Sequence, residues 1–282
     1  MKRQIKISLL LLPALIVFCI FIVGVINCLI QSLGYFPAVG LEDFTLQYYV
    51  QVIKDKNFIE SLLFSLFTSL SSSVLAMLIG VALSFILLNK NYDKNMEFLL
   101  KIPIAVPHIV AALLVFNMLS SNGILPRILY NIGFHDVQNT FPTLIFDDYG
   151  IGVIIAYLWK EIPFVTLVVY SVLKNINRGL FDVALNLGAS RRQVFFHVLL
   201  PLATPSIVSS FIIIFAYSFG AFEVPYLLGP TNPKALPVKA YLEYIEPDLT
   251  NRPIAMAVNT VIIIISFVLV AIYEYVIRKF VR

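Results

Sequence analysis

The apolar residues of this chain fall into six long, continuous runs that polar segments separate. Each run is near the ~20 residues that an α-helix needs to cross the hydrocarbon layer of a bilayer. Strands of outer-membrane barrels instead alternate apolar and polar residues over about ten positions. The pattern therefore predicts an all-α membrane protein, a six-transmembrane-helix bundle that forms a single transmembrane domain over residues 1–282. The predicted helices cover about residues 7–30, 60–88, 102–121, 149–173, 205–222 and 253–277.

The composition agrees with this pattern, since 60% of the 282 residues are hydrophobic and 13% are charged. Ordinary soluble domains contain roughly 45–50% apolar residues, so a water-soluble enzyme is excluded. The net charge of +4 is too small to indicate a nucleic-acid-binding protein. The first run is longer than the ~7–15 apolar residues of a secretory signal, so we interpret it as a permanent membrane helix.

The basic residues predict the orientation of the helices. Thirteen of the 20 lysines and arginines lie in the N-terminus, residues 89–101, residues 174–204 and the C-terminal tail. Six lie in the segments on the opposite side, and one lies inside a helix. Because positive charge collects on the cytoplasmic side of membrane proteins, both termini are expected in the cytoplasm.

The cytoplasmic segment 177–201, here called the elbow, predicts two short amphipathic helices. Gly188 stands where the first helix needs a residue with positive φ after its C-terminal end. Ser190 and Gln193 form a capping-box pattern, so a second helix is expected to begin there. Pro201 is expected to limit that helix. The alternative is an amphipathic hairpin that lies on the lipid surface.

The elbow resembles the cytoplasmic loop of permeases from binding-protein-dependent (type I) ABC importers. The family pattern is Glu-Ala-Ala-x3-Gly-x9-Ile-x-Leu-Pro, and this chain has Asp182-Val183-Ala184-x3-Gly188-x9-Val198-x-Leu200-Pro201, with mild departures at three positions. In that family the loop forms coupling helices that sit in a cleft on the ATPase subunit. The resemblance implies this ATPase-coupling role for Asp182, Ala184, Gly188, Ser190, Arg191, Arg192, Phe195, Val198 and Pro201.

The resemblance also implies the partners and the location of the chain. Two ATPase subunits are expected to bind ATP and Mg²⁺, and an external binding protein is expected to deliver the solute. The sequence has no G-x-x-x-x-G-K-[ST] loop, so the chain itself is expected to bind no cofactor and not to be an enzyme. Six helices enclose little space, so a second permease chain, identical or homologous, is implied. The expected location is the plasma (inner) membrane of a prokaryote.

Polar residues inside the membrane are the candidates for a translocation pathway. Lys160 and Glu161 lie about eleven residues into the fourth helix, where a charge costs several kcal/mol unless it faces protein or water. They are adjacent and point to different faces, so they are not expected to pair with each other. Either one of them lines the pathway, or they form structural ion pairs with another helix or subunit. The other pathway candidates are Ser218, Gly220 and Glu223 at the end of the fifth helix, and Asn117 and Asn259.

Small residues recur along the second helix. Ser65, Ser69, Ser72, Ala76 and Gly80 follow one another at spacings of three and four. This spacing places them on one helix face. It favours close packing against another helix over a ligand site.

The leading interpretation is a permease subunit of an ATP-driven importer that works by alternating access. A secondary transporter is the alternative, but it is expected to show two related halves or paired broken helices. An intramembrane enzyme needs convergent polar groups, whereas the three histidines are scattered. Residues 103–112 and 219–230 resemble permeases for polyamines, aminoethylphosphonate, ferric iron, sulfate and thiamine. Glu161 and Glu223 suit a polyamine-like cation and Lys160 suits an anion, so the substrate stays open, with a cation favoured.

Overall fold

The computed structural model describes residues 2–89, 94–175 and 183–280, and most of them are helical. Within these ranges there is no β-strand, and one isolated bridge joins Phe36 to Leu41. The helices are α1 Lys2–Ser32, α2 Gln47–Lys54, α3 Lys56–Asn89, α4 Lys94–Ala105, α5 His108–Leu119, α6 Ile124–Asn131, α7 Val137–Thr140, α8 Ile151–Asn175, α9 at residues 183–186, α10 Arg191–Val194, α11 Leu200–Gly220, α12 Glu223–Leu228, α13 Leu236–Tyr244 and α14 Arg252–Phe280.

Six helical segments of the described chain are long and apolar enough to cross a membrane, which confirms the predicted all-α fold with six spans. Their lengths run from 22 to 33 residues, and each covers the ~20 residues that a bilayer requires. The segments are Leu11–Ser32, Lys56–Leu88, His108–Asn131, Ile151–Asn175, Arg191–Gly220 and Leu249–Ile272.

The predicted third helix over residues 102–121 is wrong as a single element. It is two helices, since α4 ends at Ala105 and α5 begins at His108. Pro107 between them has an extended ψ of 147°. Proline has no N–H to donate, and it disfavours a helical conformation at the preceding residue, Val106. The chain therefore interrupts its helix just before the third span begins at His108, and it leaves the carbonyls at the end of α4 without helical partners.

The predicted start of the fifth helix at residue 205 is also wrong, as is the expectation that Pro201 ends the elbow helix. Helical backbone runs continuously from Arg191 to Gly220, through one π-helical turn at Phe195–Leu199. Pro201 is the second residue after this turn. A π turn widens the helix, which accommodates a proline that lacks an N–H and crowds the preceding turn.

The chain divides into two compact units. The first unit is Met1–Ile59 with Lys239–Ile264, and the second is Glu60–Val238 with Ile265–Arg282. In the first unit, the Lys239 ammonium lies 2.8 Å from Asp55 and 3.0 Å from Glu243. Burial opposes the charge of Lys239, but the bonds to the two carboxylates outweigh it and raise the pKa of Lys239. Although burial works against it, the same bond to Lys239 lowers the pKa of Asp55.

Helix α8 forms much of the core of the second unit. Its residues Val153, Ala156, Val165 and Val169 are fully buried. On α3 the small residues Ser65, Ser69, Ser72, Ala76 and Gly80 are also buried, which confirms the predicted packing face. Lipid tails are as apolar as leucine, so such helices associate through van der Waals contacts that small residues permit.

We predict that Gly80→Leu destabilises the second unit. A Cβ atom at Gly80 would lie 2.8 Å from the side chain of Val165, so a larger residue forces α3 and α8 apart. Overpacking of this kind costs about 1–3 kcal/mol, which thermal unfolding of the purified protein in detergent should detect. Gly24→Leu is the matched control, because a Cβ atom there meets nothing within 4 Å. Equal melting temperatures for the two variants would contradict the close α3–α8 contact.

Candidate functional site

The elbow turns at Gly188, whose φ is +88°. The Gly188 amide donates to the carbonyl of Leu185 at 2.9 Å, and the Ala189 amide donates to the carbonyl of Ala184 at 3.1 Å. These two bonds form a Schellman motif, which ends a helix and satisfies its last carbonyls. The predicted positive φ at Gly188 is therefore confirmed. Helix α9 ends at residue 186, two residues before Gly188.

A capping box starts the second elbow helix, as predicted. The Gln193 amide donates to the Ser190 hydroxyl at 3.3 Å, and the Ser190 amide donates to the Gln193 side chain at 2.8 Å. Each residue thus satisfies an amide that the helix start leaves free. The Schellman motif ends at Ala189 and the capping box begins at the next residue, Ser190, so little freedom remains in the angle between α9 and α10.

The elbow has a buried side and an exposed side. Val194, Phe195 and Leu199 are buried in the same core cluster as Val169 and Leu173 of α8. On the other side, the apolar Leu187 is 82% exposed at the tip of the elbow. A large apolar side chain at such a tip is typical of a docking surface. Of the other predicted coupling residues, Ser190, Arg191, Arg192 and Pro201 are exposed, Ala184 and Val198 are half-buried, and Asp182 lies outside the described residues.

Lys160 and Glu161 are both buried in the middle of α8, with 8% and 5% of their surface exposed. The Lys160 ammonium donates to the carbonyl of Val106 and, at 3.5 Å, to that of Ile104. These carbonyls belong to the end of α4, where the helix is interrupted. The negative end of a helix dipole favours a cation, so the break between α4 and α5 accommodates the lysine.

Glu161 is bonded to the end of α11 instead. The Ser218 hydroxyl donates to its Oε1 atom, and the Tyr157 hydroxyl donates to the carbonyl of Ser218 at 3.2 Å. The second oxygen of Glu161, Oε2, is buried and has no hydrogen-bond partner among the described residues. Within the same described ranges neither Lys160 nor Glu161 lies in an ion pair.

The backbone beside this pair is broken at the end of α11. Helix α11 ends at Gly220, Ala221 is extended with a ψ of 136°, and α12 begins at Glu223. Non-helical backbone at membrane depth is tolerated where it lines a cavity or packs against protein. Gly220 and Glu223 are exposed, and a Cβ atom at Gly220 would meet nothing within 4 Å. This end of α11 is therefore accessible.

Three residues that were not candidates from the sequence lie beside Lys160, Glu161 and the end of α11. Tyr157 precedes Glu161 by one helical turn, and this i, i+4 spacing on α8 was the signal that could have found it. The ring of His108, the first residue of α5, contacts that of Tyr217, with the centroids 4.4 Å apart. We define the polar cluster as His108, Tyr157, Lys160, Glu161, Tyr217, Ser218 and Glu223.

The two asparagines do not join this cluster in the same way. The Asn117 side chain is exposed and donates to the carbonyl of Leu113 in its own helix at 2.8 Å. Asn259 belongs to the first unit, where it is half-buried. A pathway role for either residue stays a prediction.

The fold and these features define a class of protein: a helical, multi-spanning membrane protein with an exposed elbow and a partly buried polar cluster. Residues 72–282 match the family described as "Binding-protein-dependent transport system inner membrane component". The chain therefore belongs to this family and is a permease subunit of a binding-protein-dependent ABC importer. The resemblance drawn from the elbow is confirmed, and membership decides against a secondary transporter and an intramembrane enzyme.

Several curated relatives match most of the chain. It is 25% identical to the probable transport system permease protein NifC of Clostridium pasteurianum, over 81% of this chain and 77% of that protein. It is 25% identical to the sulfate transport system permease protein CysT of Escherichia coli, over 78% of this chain and 77% of that protein. It is 26% identical to the spermidine/putrescine transport system permease protein PotB of Haemophilus influenzae, over 72% of this chain and 69% of that protein.

A solved structure has the same fold over nearly the whole chain. It is a bacterial ABC transporter involved in the import of the acidic polysaccharide alginate, and it superposes with a TM-score of 0.81. The match covers 99% of this chain and 96% of the other, at 22% identity. This likeness supports the membrane-spanning fold, and it does not bear on the solute.

Proposed function

We propose that this permease moves a small polar cation through the polar cluster by alternating access, driven by ATPase subunits that dock on the elbow. An external binding protein delivers the solute, a second permease chain completes the pathway, and two ATPase subunits hold ATP and Mg²⁺. The elbow faces the cytoplasm from the plasma (inner) membrane of a prokaryote. The geometry of the elbow, with a fixed glycine turn and an exposed apolar tip, is the observation that carries this proposal.

The elbow has a direct mechanical connection to the polar cluster. Helical backbone from Arg191 to Gly220 is continuous, a length of roughly 45 Å at 1.5 Å per residue. One end of this rod belongs to the elbow, and the other carries Ser218, which bonds Glu161 of α8. A displacement of the elbow by an ATPase therefore changes the position of Ser218 against α8. Because Ala221 is extended, the motion is not carried rigidly into α12.

The charge balance of the polar cluster favours a cationic solute. The carbonyls at the end of α4 already satisfy the Lys160 ammonium, so this charge is directed away from a passing solute. Glu161 keeps one buried oxygen without a partner among the described residues, and Glu223 is exposed. The two carboxylates supply the acceptors that an ammonium group needs when it leaves water. This supports a polyamine-like substrate, whereas the named relatives include both a cation and an anion permease.

We predict that Glu161→Gln lowers uptake of putrescine or spermidine at least tenfold in the reconstituted importer. Glutamine keeps the size of the side chain and can still accept from Ser218, so subunit assembly should persist. Glu42→Gln is the matched control, because Glu42 is exposed in the loop after α1. Labelled putrescine, spermidine, sulfate and molybdate should be compared as solutes. Uptake of the anions, with Lys160→Met as the damaging variant, would contradict a cationic substrate while leaving the permease assignment intact.

We predict that Gly188→Val uncouples the ATPase from solute delivery. A Cβ atom at Gly188 meets nothing within 4 Å, so any effect arises from its φ of +88° and not from a clash. A β-branched residue in this conformation costs about 1–3 kcal/mol of strain, which is relieved by reorienting α10.

Stimulation of ATP hydrolysis by solute-loaded binding protein should fall about tenfold in Gly188→Val and less in Gly188→Ala. Gly188→Asn is the control, because asparagine tolerates the left-handed region. Membrane insertion should be normal in all three variants. Undiminished stimulation in the valine variant would show that coupling does not need this turn.

A further inference from the structure

A long apolar groove lies between α3 and the helix that runs from α10 into α11, and it has no part in the proposed transport mechanism. Its volume is about 820 Å³. Met77, Val81 and Phe85 line one side, and Phe196, Leu200 and Ile207 line the other. Arg191 and Arg192 are the polar residues of its lining, and the lining is otherwise apolar. The groove therefore combines a hydrocarbon-like floor with two positive charges.

The charges lie at one end of the groove. Phe85 and Phe195 contact each other with ring centroids 4.2 Å apart, which places the C-terminal end of α3 beside the end of α10. From there the lining extends to Met77 along α3 and to Ile207 along α11. At 1.5 Å per residue these distances are roughly 12 Å and 18 Å. Half of a ~30 Å hydrocarbon core is about 15 Å, so the apolar part has the depth of one leaflet.

Both arginines are available to a ligand. They are exposed, and in the described part of the chain neither forms an ion pair. The Arg192 guanidinium lies 5.8 Å from the centre of the Phe196 ring, which holds it over the groove. Guanidinium groups bind phosphate through paired N–H donors, and basic sites between membrane helices on the cytoplasmic side bind anionic lipid headgroups.

We propose that this groove binds one anionic phospholipid, with its phosphate on Arg191 and Arg192 and an acyl chain along α3 and α11. The two arginines need an anionic partner, and the phosphate of a lipid supplies one. A transmembrane helix that filled the groove would need acidic residues at its end to do the same, so charge complementarity favours a lipid. The headgroup lies where the elbow joins α11. A bound lipid therefore braces this junction from the membrane side.

Lipid retention on the purified, assembled importer tests the proposal. The importer is stripped of lipid in detergent, and phosphatidylglycerol or phosphatidylcholine with identical acyl chains is added back. Native mass spectrometry then counts the lipids that stay bound. Arg191 and Arg192 are also predicted to contact the ATPase, and this readout separates the two roles because it does not depend on hydrolysis.

Wild-type importer should retain phosphatidylglycerol well above phosphatidylcholine. Arg191→Gln with Arg192→Gln should reduce this retention about fivefold for each guanidinium removed, the factor that corresponds to about 1 kcal/mol per charge. Lys174→Gln is the matched control, because Lys174 is an exposed basic residue at the end of α8 that does not line the groove. Ala82→Phe, which narrows the groove without changing charge, should reduce retention of both lipids.

Two results would overturn the proposal. The first is equal retention of the two lipids that none of these variants changes. The second is loss of the second permease chain from the Ala82→Phe importer with unchanged lipid retention, which would identify the groove as a contact between permease chains. Should the arginine variant fail to assemble, Ala82→Phe alone decides, because it leaves both charges in place.

Discussion

Two adjacent ionisable side chains in the middle of α8 impose the constraint on which the rest of the second unit depends. A charge at this depth costs several kcal/mol unless a partner is supplied. Each partner comes from a helix that is interrupted at that level. The break between α4 and α5 presents free carbonyls to Lys160, and the end of α11 presents Ser218 to Glu161. The interruptions and the buried charges therefore explain each other.

This arrangement also makes the region suitable for a conformational change. Continuous helices have no free backbone groups, whereas the ends of α4 and α11 have them and can exchange partners. Glu161 uses one oxygen and keeps the other without a partner among the residues described. Under the proposed function, a solute in the polar cluster would bond to groups that are already desolvated. The continuous helix from Arg191 to Gly220 connects this cluster to the elbow, so solute and ATPase would act on the same helix.

Much of this architecture could be predicted from the sequence because it depends on local rules. Span length determines the six membrane helices, and glycine and the capping box determine the elbow. The break at Pro107 could not be predicted, because Pro13, Pro163 and Pro205 lie inside helices that continue. The partners of Lys160 could not be predicted from the sequence either, because they are backbone carbonyls, which every residue type carries. Tertiary packing decides which prolines interrupt a helix and which carbonyls a buried lysine reaches.

The central claim is that the elbow docks on an ATPase in the cytoplasm, and shielding of its tip measures this most directly. Leu187→Cys, in a chain whose Cys19 and Cys28 are replaced by serine, places one thiol at the exposed tip of the elbow. An impermeant maleimide should label it in inside-out vesicles stripped of the ATPase. It should not label it in intact cells, and re-added ATPase should protect it. Labelling from outside, or labelling that bound ATPase leaves unchanged, would contradict the account.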